Sequence, residues 1–357
     1  MKKDKGKRME NQEKQHKRRI RYKGTHPRNY KERYKELQPE KYPETIEKVI
    51  RKGSTPVGMH ISICVKEILD FLQIQPGQRG LDATLGYGGH TLEMLKCLKG
   101  EGHLYALDVD TVESEKTKER LQKLGYGEDI LTIKNINFRD IDKVCEEAGK
   151  FDFVLADLGV SSMQIDNPER GFTYKKEGPL DLRLDQKKGV SAAERLKEVT
   201  MEELEGMLVE NADEPYAHEI AEKVFEKLRR GETIDTTTKL QQIIEEALEF
   251  IPTKERKEAV KKSCQRTFQA LRIDVNSEFE VLYEFMEKLP NVLNEGGRVA
   301  ILTFHSGEDR IVKRAFKELK RAGVYSDIAN DVIRPSAEEC NYNSRAKSTK
   351  MRWAIKA

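Results

Sequence analysis

The stretch Leu81-Asp-Ala-Thr-Leu-Gly-Tyr-Gly-Gly-His-Thr-Leu92 sets Gly86, Gly88 and Gly89 between an apolar run and a helical pattern. Glycines there let the backbone approach a ligand, and the first turn of the next helix offers free N–H groups. A dinucleotide fingerprint asks for G-x-G-x-x-G, and this turn has Thr91 in the third glycine place. Two acids narrow the chemistry. Asp82 precedes the glycines, and Asp108 follows Gly88 by 20 residues, where a carboxylate can accept ribose hydroxyls. Phe138 is placed to cover an adenine ring, and Asp157 ends a later apolar run on the same side. An adenosine with a ribose diol and no pyrophosphate cradle fits S-adenosylmethionine better than a nicotinamide dinucleotide. Each residue also has a plain alternative: turn glycines, Asp108 as a helix cap, Phe138 as core.

Strand ends must hold these groups. Arg79–Thr84, Gly102–Asp108, Ile130–Lys134 and Phe151–Asp157 read as strands, with helices at Ile63–Leu72, Gly89–Leu98 and Val112–Leu124. This alternation implies right-handed βαβ units and a parallel sheet with helices on both faces. From about 190 to 275 only helical periodicity remains, at Ser191–Leu196, Met201–Val209, Tyr216–Arg229, Thr238–Phe250 and Lys254–Val275. The earlier rhythm resumes with a helix at Glu278–Leu289, a strand at Arg298–Phe304, a helix at Gly307–Arg321 and a strand at Met351–Lys356. The expected organisation is an arm at 1–55, an α/β domain at 56–185 and 276–357, and an all-helical insert at 186–275.

Residues 1–55 carry 19 Lys and Arg against 8 Asp and Glu, leaving 46 against 54 for the rest. A basic arm on a mildly acidic body points to a polyanion partner or to a solubilising tail. The five cysteines are scattered without a CxxC pair, which argues against a zinc site or disulfide framework and fits a reducing cytoplasm. No run of 18 apolar residues suggests a membrane span, and the basic start lacks the apolar stretch of a secretory signal.

Longer stretches then carry a resemblance. DATLGYGGHT, ALDVD, LADLGVSSMQIDNPERGFTYKKEGPLDLRLD, SAAERL, RTFQALRIDVNSE, LNEGGR, FHSGEDRIVKR and SRAKSTKMR resemble the bacterial MraW/RsmH methyltransferases, from about His60 to the C-terminus. The resemblance implies a Rossmann-like class I sheet with the helical insert, cytoplasmic location, and methylation of N4 of a cytidine in the decoding region of 16S ribosomal RNA. The partner implied is the small ribosomal subunit, with the enzyme a monomer or homodimer. The family's S-adenosylmethionine contacts fall on Gly88, Gly89, His90, Asp108, Phe138, Asp157 and Gln164. Departures are Ser62 for a proline, Gly307 for a leucine, and Asn343-Ser-Arg-Ala-Lys-Ser348 for NPRARS.

Methylating an exocyclic amine needs no metal; it needs alignment and an acceptor for the N–H. Asp157 is the first candidate, by analogy with amino-methyltransferases that keep an acid or amide at this strand end. Asp181, in Gly178-Pro-Leu-Asp-Leu-Arg183, and His305 are further candidates, Asp181 also reading as a turn acid. Ser306-Gly-Glu-Asp309 reads as a capping box. Arg266, Gln269, Arg272 and Asn276 share one helical face suited to RNA or to solvent, and Arg345 and Arg352 belong to a second basic cluster suited to phosphates. Competing readings are a nicotinamide dehydrogenase, a non-catalytic RNA-binding assembly factor, and a methyltransferase for another ribosomal RNA nucleotide.

Overall fold

The computed structural model describes residues 62–357, apart from Ser162, Met163 and Asp166 and the side chains of Tyr342, Ser344 and Arg345. The basic arm lies outside the described residues.

Seven strands form one sheet: β1 (Arg79–Asp82), β2 (His103–Leu107), β3 (Leu131–Lys134), β4 (Phe151–Asp157), β5 (Leu293–Thr303), β6 (Tyr325–Ile328) and β7 (Lys350–Lys356). Their order is β3-β2-β1-β4-β5-β7-β6. β1 to β5 pair in parallel, while β7 runs antiparallel between β5 and β6. This is the Rossmann-like class I methyltransferase sheet expected, with one departure from an all-parallel reading. The crossover after β5 sets β6 one place too far out, and the chain returns through residues 329–349 to fill the gap from the opposite end.

The central strands read as apolar runs because both faces are covered. In β4, Phe151, Phe153, Val154, Leu155 and Ala156 are all buried. Gly80 on β1 has to be a glycine: a Cβ there would lie 2.0 Å from the ring of Phe153.

Helices α1 (Val65–Leu72), α2 (Gly89–Leu98), α3 (Thr111–Lys123) and α4 (Ile141–Ala148) interleave with the first strands. α4, β6 and the short helix α12 (Ala337–Tyr342) are elements the sequence reading did not mark. Five consecutive helices follow: α5 (Ala192–Glu198), α6 (Met201–Ala212), α7 (Ala217–Arg229), α8 (Thr237–Ala247) and α9 (Thr253–Asn276). α5 and α6 open on complete capping boxes, Ser191 with Glu194 and Thr200 with Glu203. This layer has its own core, including Leu208, Ile220, Leu240, Ile244 and Leu271, which also takes in Phe172, Leu180 and Leu182 upstream of residue 186. Ser277, in the left-handed region at φ 49°, turns α9 into α10 (Glu278–Val292). α11 (Ser306–Arg321) leaves the end of β5.

Candidate active site

A cavity of about 370 Å³ opens where β1, β2, β4 and β5 end and α9 closes over them. The strand order reverses between β1 and β4, which is where open α/β sheets leave a crevice.

The sheet side of this cavity presents acids held by backbone. Asp108 accepts Gly86 N–H through Oδ2 and Asp110 N–H through Oδ1, both at 2.8 Å. Burial, with Asp110 and Asp82 nearby, pushes its carboxyl up to about 6. The Asp157 N–H donates to Thr84 Oγ1 at 2.6 Å, fixing the end of β4 against the glycine turn. Asp157 Oδ2 lies 3.4 Å from His90 Nδ1, while Oδ1 is buried without a hydrogen-bond partner. His90 Nε2 lies 2.9 Å from the Ile63 carbonyl. Both neighbours of the ring are acceptors, so the doubly protonated imidazolium satisfies them. Burial alone would depress His90; its hydrogen bond to Asp157 and the charges of Asp157 and Asp82 outweigh this and push it up to about 8.

Gly89, His90, Asp108, Phe138, Asp157 and Gln164 all line the cavity. Phe138 stands edge-on to Phe285, with ring centroids 5.1 Å apart. Gly88 is not in the lining. At φ 72° it starts α2, and a Cβ would lie 2.7 Å from Thr117, so its role is to let α2 and α3 pack. Asp82 is also withdrawn behind the wall. Its Oδ2 accepts the Thr91 hydroxyl at 2.6 Å and its Oδ1 the Thr84 N–H, and burial raises its carboxyl. The threonine that breaks the dinucleotide fingerprint is therefore the partner of a buried acid.

The sequence reading missed Asp110 and Arg170. Asp110 caps α3 through Glu113 N–H, and its Oδ2 takes Arg170 Nη1 at 2.6 Å and Gln164 Nε2 at 3.3 Å. Arg170, itself buried, donates onward to the carbonyls of Arg183 and Leu184. This ties the long loop after β4 to the end of β2. Asp110 was findable as an N-cap with Glu113 three residues on; the Arg170 pairing, 60 residues away, carries no local signal.

The side facing α9 differs. Arg272 grips Glu278 through two hydrogen bonds of 2.8 and 2.9 Å. Glu308, almost wholly buried, accepts Phe304 N–H and lies 3.1 Å from His305 Nε2. Burial would raise Glu308, but His305 and Arg272 outweigh it and hold its carboxyl low. The oxygens of Glu278 and Glu308 and the His305 ring converge closely enough to share a cation, and Arg272 supplies that charge. Glu308 thus reaches behind the helix start, and α11 has no side-chain cap at His305, which corrects the expected capping box. Asn276 is fully engaged: Leu184 N–H donates to it, and it donates to the carbonyls of Leu182 and Arg272. It clamps a loop in which Leu182 holds a left-handed φ of 64°, unfavourable for a leucine. Gln269 lines the cavity and donates to the Asn211 carbonyl.

Several expected roles change. Asp181 does not line the cavity, and both its oxygens are taken by Arg183, which holds its carboxyl low against burial, so in this structure it braces the loop. His305 lines the cavity, with Nε2 turned to Glu308 at 3.1 Å and Nδ1 buried without a hydrogen-bond partner. Arg272 and Arg352 are not open phosphate ligands. Arg352 is buried on β7 against Asp309, at 2.6 Å, with Lys350 on the same acid at 3.0 Å. Arg266 lies outside the lining with no ion pair among the described residues. Arg345 lies in the short turn before β7, and its side chain is outside the described residues. No helix among them is long and apolar enough to cross a membrane.

Comparison with known proteins fits this geometry. Ribosomal RNA small subunit methyltransferase H 1 of Lachnoclostridium phytofermentans is 71% identical over 98% of this chain and 95% of its own length. Ribosomal RNA small subunit methyltransferase H 2 of Alkaliphilus metalliredigens is 65% identical over 98% of this chain and 100% of its own. At 98% coverage, most of the basic arm is part of what they share. A SAM-dependent O-methyltransferase from Thermotoga maritima covers 87% of this chain and 71% of its own at 11% identity and a TM-score of 0.39, too loose an overlap to carry an argument. The MraW methylase family model matches residues 58–357, and with relatives this similar over nearly the whole chain, the protein belongs to the MraW methylase family.

Proposed function

We propose that this methylase transfers a methyl group from S-adenosylmethionine to N4 of a cytidine in the decoding region of small-subunit ribosomal RNA, with Asp157 accepting the amine hydrogen. The observation that carries this reading is the buried, unpartnered Oδ1 of Asp157 beside the cavity, with Oδ2 held toward His90. The substrate class rests on the printed names of the relatives, which are ribosomal RNA small subunit methyltransferases.

The residues fit the cofactor. A cavity of about 370 Å³ lies in the usual range for small-molecule sites. Asp108, held by two backbone N–H groups, keeps lone pairs for a ribose diol, and Phe138 offers an aromatic wall for a base. Gln164, tied to Asp110 and the Ser161 N–H, borders the same space. Bound S-adenosylmethionine supplies an activated methyl group on a positive sulfur.

This chain's own residues do the rest. An exocyclic cytosine amine is weakly nucleophilic because its lone pair is delocalised into the ring. As the nitrogen gains a fourth bond its N–H becomes acidic, and Asp157 is the carboxylate at hand. His90, positive below about pH 8, lies 3.4 Å from Asp157 Oδ2 and orients the carboxylate. The helices from α5 to α9 form the substrate-recognition part, closing the cavity through Gln269 and the α9 clamp at Asn276. A base in structured RNA must be turned out to enter.

Nucleoside mass spectrometry of small-subunit ribosomal RNA, from cells with and without this gene, tests the reading. N4-methylcytidine that disappears with the gene and returns with wild type, but not with Asp157→Asn, is the expected result. An unchanged N4-methylcytidine level overturns it, and methylation restored in full by Asp157→Asn removes the acceptor role.

A further inference from the structure

We infer that the solvent face of α11 is a docking surface for the RNA backbone, a proposal that rests on the RNA-methylating role above. α11 carries Arg310, Lys313, Arg314, Lys317 and Arg321 on one side, all exposed. Their spacing of three and four residues puts them in a single stripe. The opposite side of the helix, with Ile311, Val312 and Phe316, is buried.

An ordinary solvated helix mixes its charges, and the other helices here do so. Lys116 on α3 pairs with Glu113, and Lys261 and Lys262 on α9 pair with Glu258. On α11 the five stripe positions are all cations, with exposed Glu318 at the stripe's edge. Arg310 is 3.8 Å from Asp213, while Lys313, Arg314 and Lys317 have no ion-pair or hydrogen-bond partner among the described residues. Neighbouring α10 exposes Glu280 and Glu287, so adjacent helices present opposite signs, and the positive strip is bounded. Like charges held side by side repel, and a polyanion relieves that repulsion while releasing its counterions.

Position links the stripe to the cavity. α11 begins at its wall, where His305 and Glu308 sit, and the stripe starts half a turn beyond Glu308. It then extends about 16 Å along the helix axis, at roughly 1.5 Å per residue. RNA lying along it leads directly to the opening where the target base must enter. Of the arginines that looked like phosphate ligands in the sequence, Arg272 and Arg352 are consumed by internal acids, and this stripe takes that role.

The test uses the full-length protein and three binding partners: small ribosomal subunits, their protein-free RNA, and S-adenosylmethionine. K313Q/R314Q/K317Q is compared with wild type and with K96Q/K116Q/K123Q, which removes the same charge from exposed positions on α2 and α3. Expected is a loss of RNA affinity of about tenfold for the α11 variant and a slope of log affinity against log salt flatter by about 2, from three contacts at roughly 0.7 each. Cofactor affinity and thermal midpoint stay at wild-type values, and the α2/α3 variant keeps the wild-type slope. Equal slopes for the α11 variant and wild type overturn the proposal. So does a loss seen on intact subunits but absent on protein-free RNA, which would place an acidic protein on the stripe. Methyl transfer by wild type is measured alongside: its absence removes the enzymatic reading, whereas the binding slopes report on the stripe independently.

Discussion

On the sheet side of the cavity, Asp108 and Asp157 are held by backbone or by one imidazole and keep acceptor capacity toward the open space. On the α9 side and behind it, Glu278, Asp309 and Asp181 are each matched by cations: Arg272, Arg352 with Lys350, and Arg183. The same residue type does two jobs, and its partner reveals which. An acid satisfied by a guanidinium fixes the geometry of loops and helices. An acid left partly unsatisfied beside a cavity keeps its acceptor capacity for a ligand. Removing the first kind should damage the fold, and removing the second kind should damage function while sparing it.

The largest effect expected is on the braced side. Arg352→Met leaves Asp309 buried with Lys350 as its remaining cation. Breaking a buried pair costs about 3–5 kcal/mol, and Lys350 keeps this case near the lower end. Chemical denaturation should show that loss, while cofactor affinity of the folded fraction stays within about twofold. Wild-type stability would erase the distinction between the two sides.

Asp157→Asn should do the reverse. Proton-transfer groups typically contribute about a hundredfold or more. Single-turnover methyl transfer at saturating cofactor should fall by at least that much, with RNA affinity and the unfolding midpoint little changed. A wild-type rate would leave Asp157 with a binding role only.

Asp108→Ala should weaken S-adenosylmethionine binding by roughly 1.5–3 kcal/mol, the usual worth of a charged hydrogen-bond partner. Calorimetry on folded protein checks it. Because burial raises the Asp108 carboxyl to about 6, the ionised acceptor is depleted as pH falls. Wild-type affinity should therefore drop about tenfold from pH 7 to pH 5. The dependence should vanish in Asp108→Ala; a parallel pH profile in both proteins would assign it to another group.

The smallest effect concerns His90. Its folded value, about 8 against an ordinary 6.5, means that the protonated ring is favoured by folding. Its stabilisation is complete below pH 6.5 and is lost as pH rises through 8. Urea midpoints at pH 6 and pH 9 should differ less in His90→Gln than in wild type. An equal difference would separate the His90–Asp157 contact from stability.

Local periodicity made most of the architecture legible. β4 is a seven-residue strand with five buried apolar residues, and α5 and α6 announce themselves by capping boxes. The glycine turn, Asp108, Phe138 and Asp157 were legible as one site because open parallel sheets gather their strand ends. α4 and β6 escaped because they are short, and β6 exposes half of its four residues at the sheet edge, leaving little apolar pattern. Asp181 and His305 were read for their chemistry without sight of their neighbours.

The sequence by itself determined the longer strands and helices, because hydrophobic period and capping act over a few residues. It also marked the turn after β1 as the place for a ligand crevice, and the cavity lies there, because turn glycines and the acid after β2 are local features at a known spacing. Tertiary structure alone decided which charges are free. Asp309 meets Arg352 across 43 residues, and Asp110 meets Arg170 across 60. No helical or strand period records such distances. A charged side chain's role depends on whether an opposite charge is brought within a few ångströms, since attraction falls with distance and rises steeply with burial. That decision turned two arginines inward as braces and left the basic face of α11 outward.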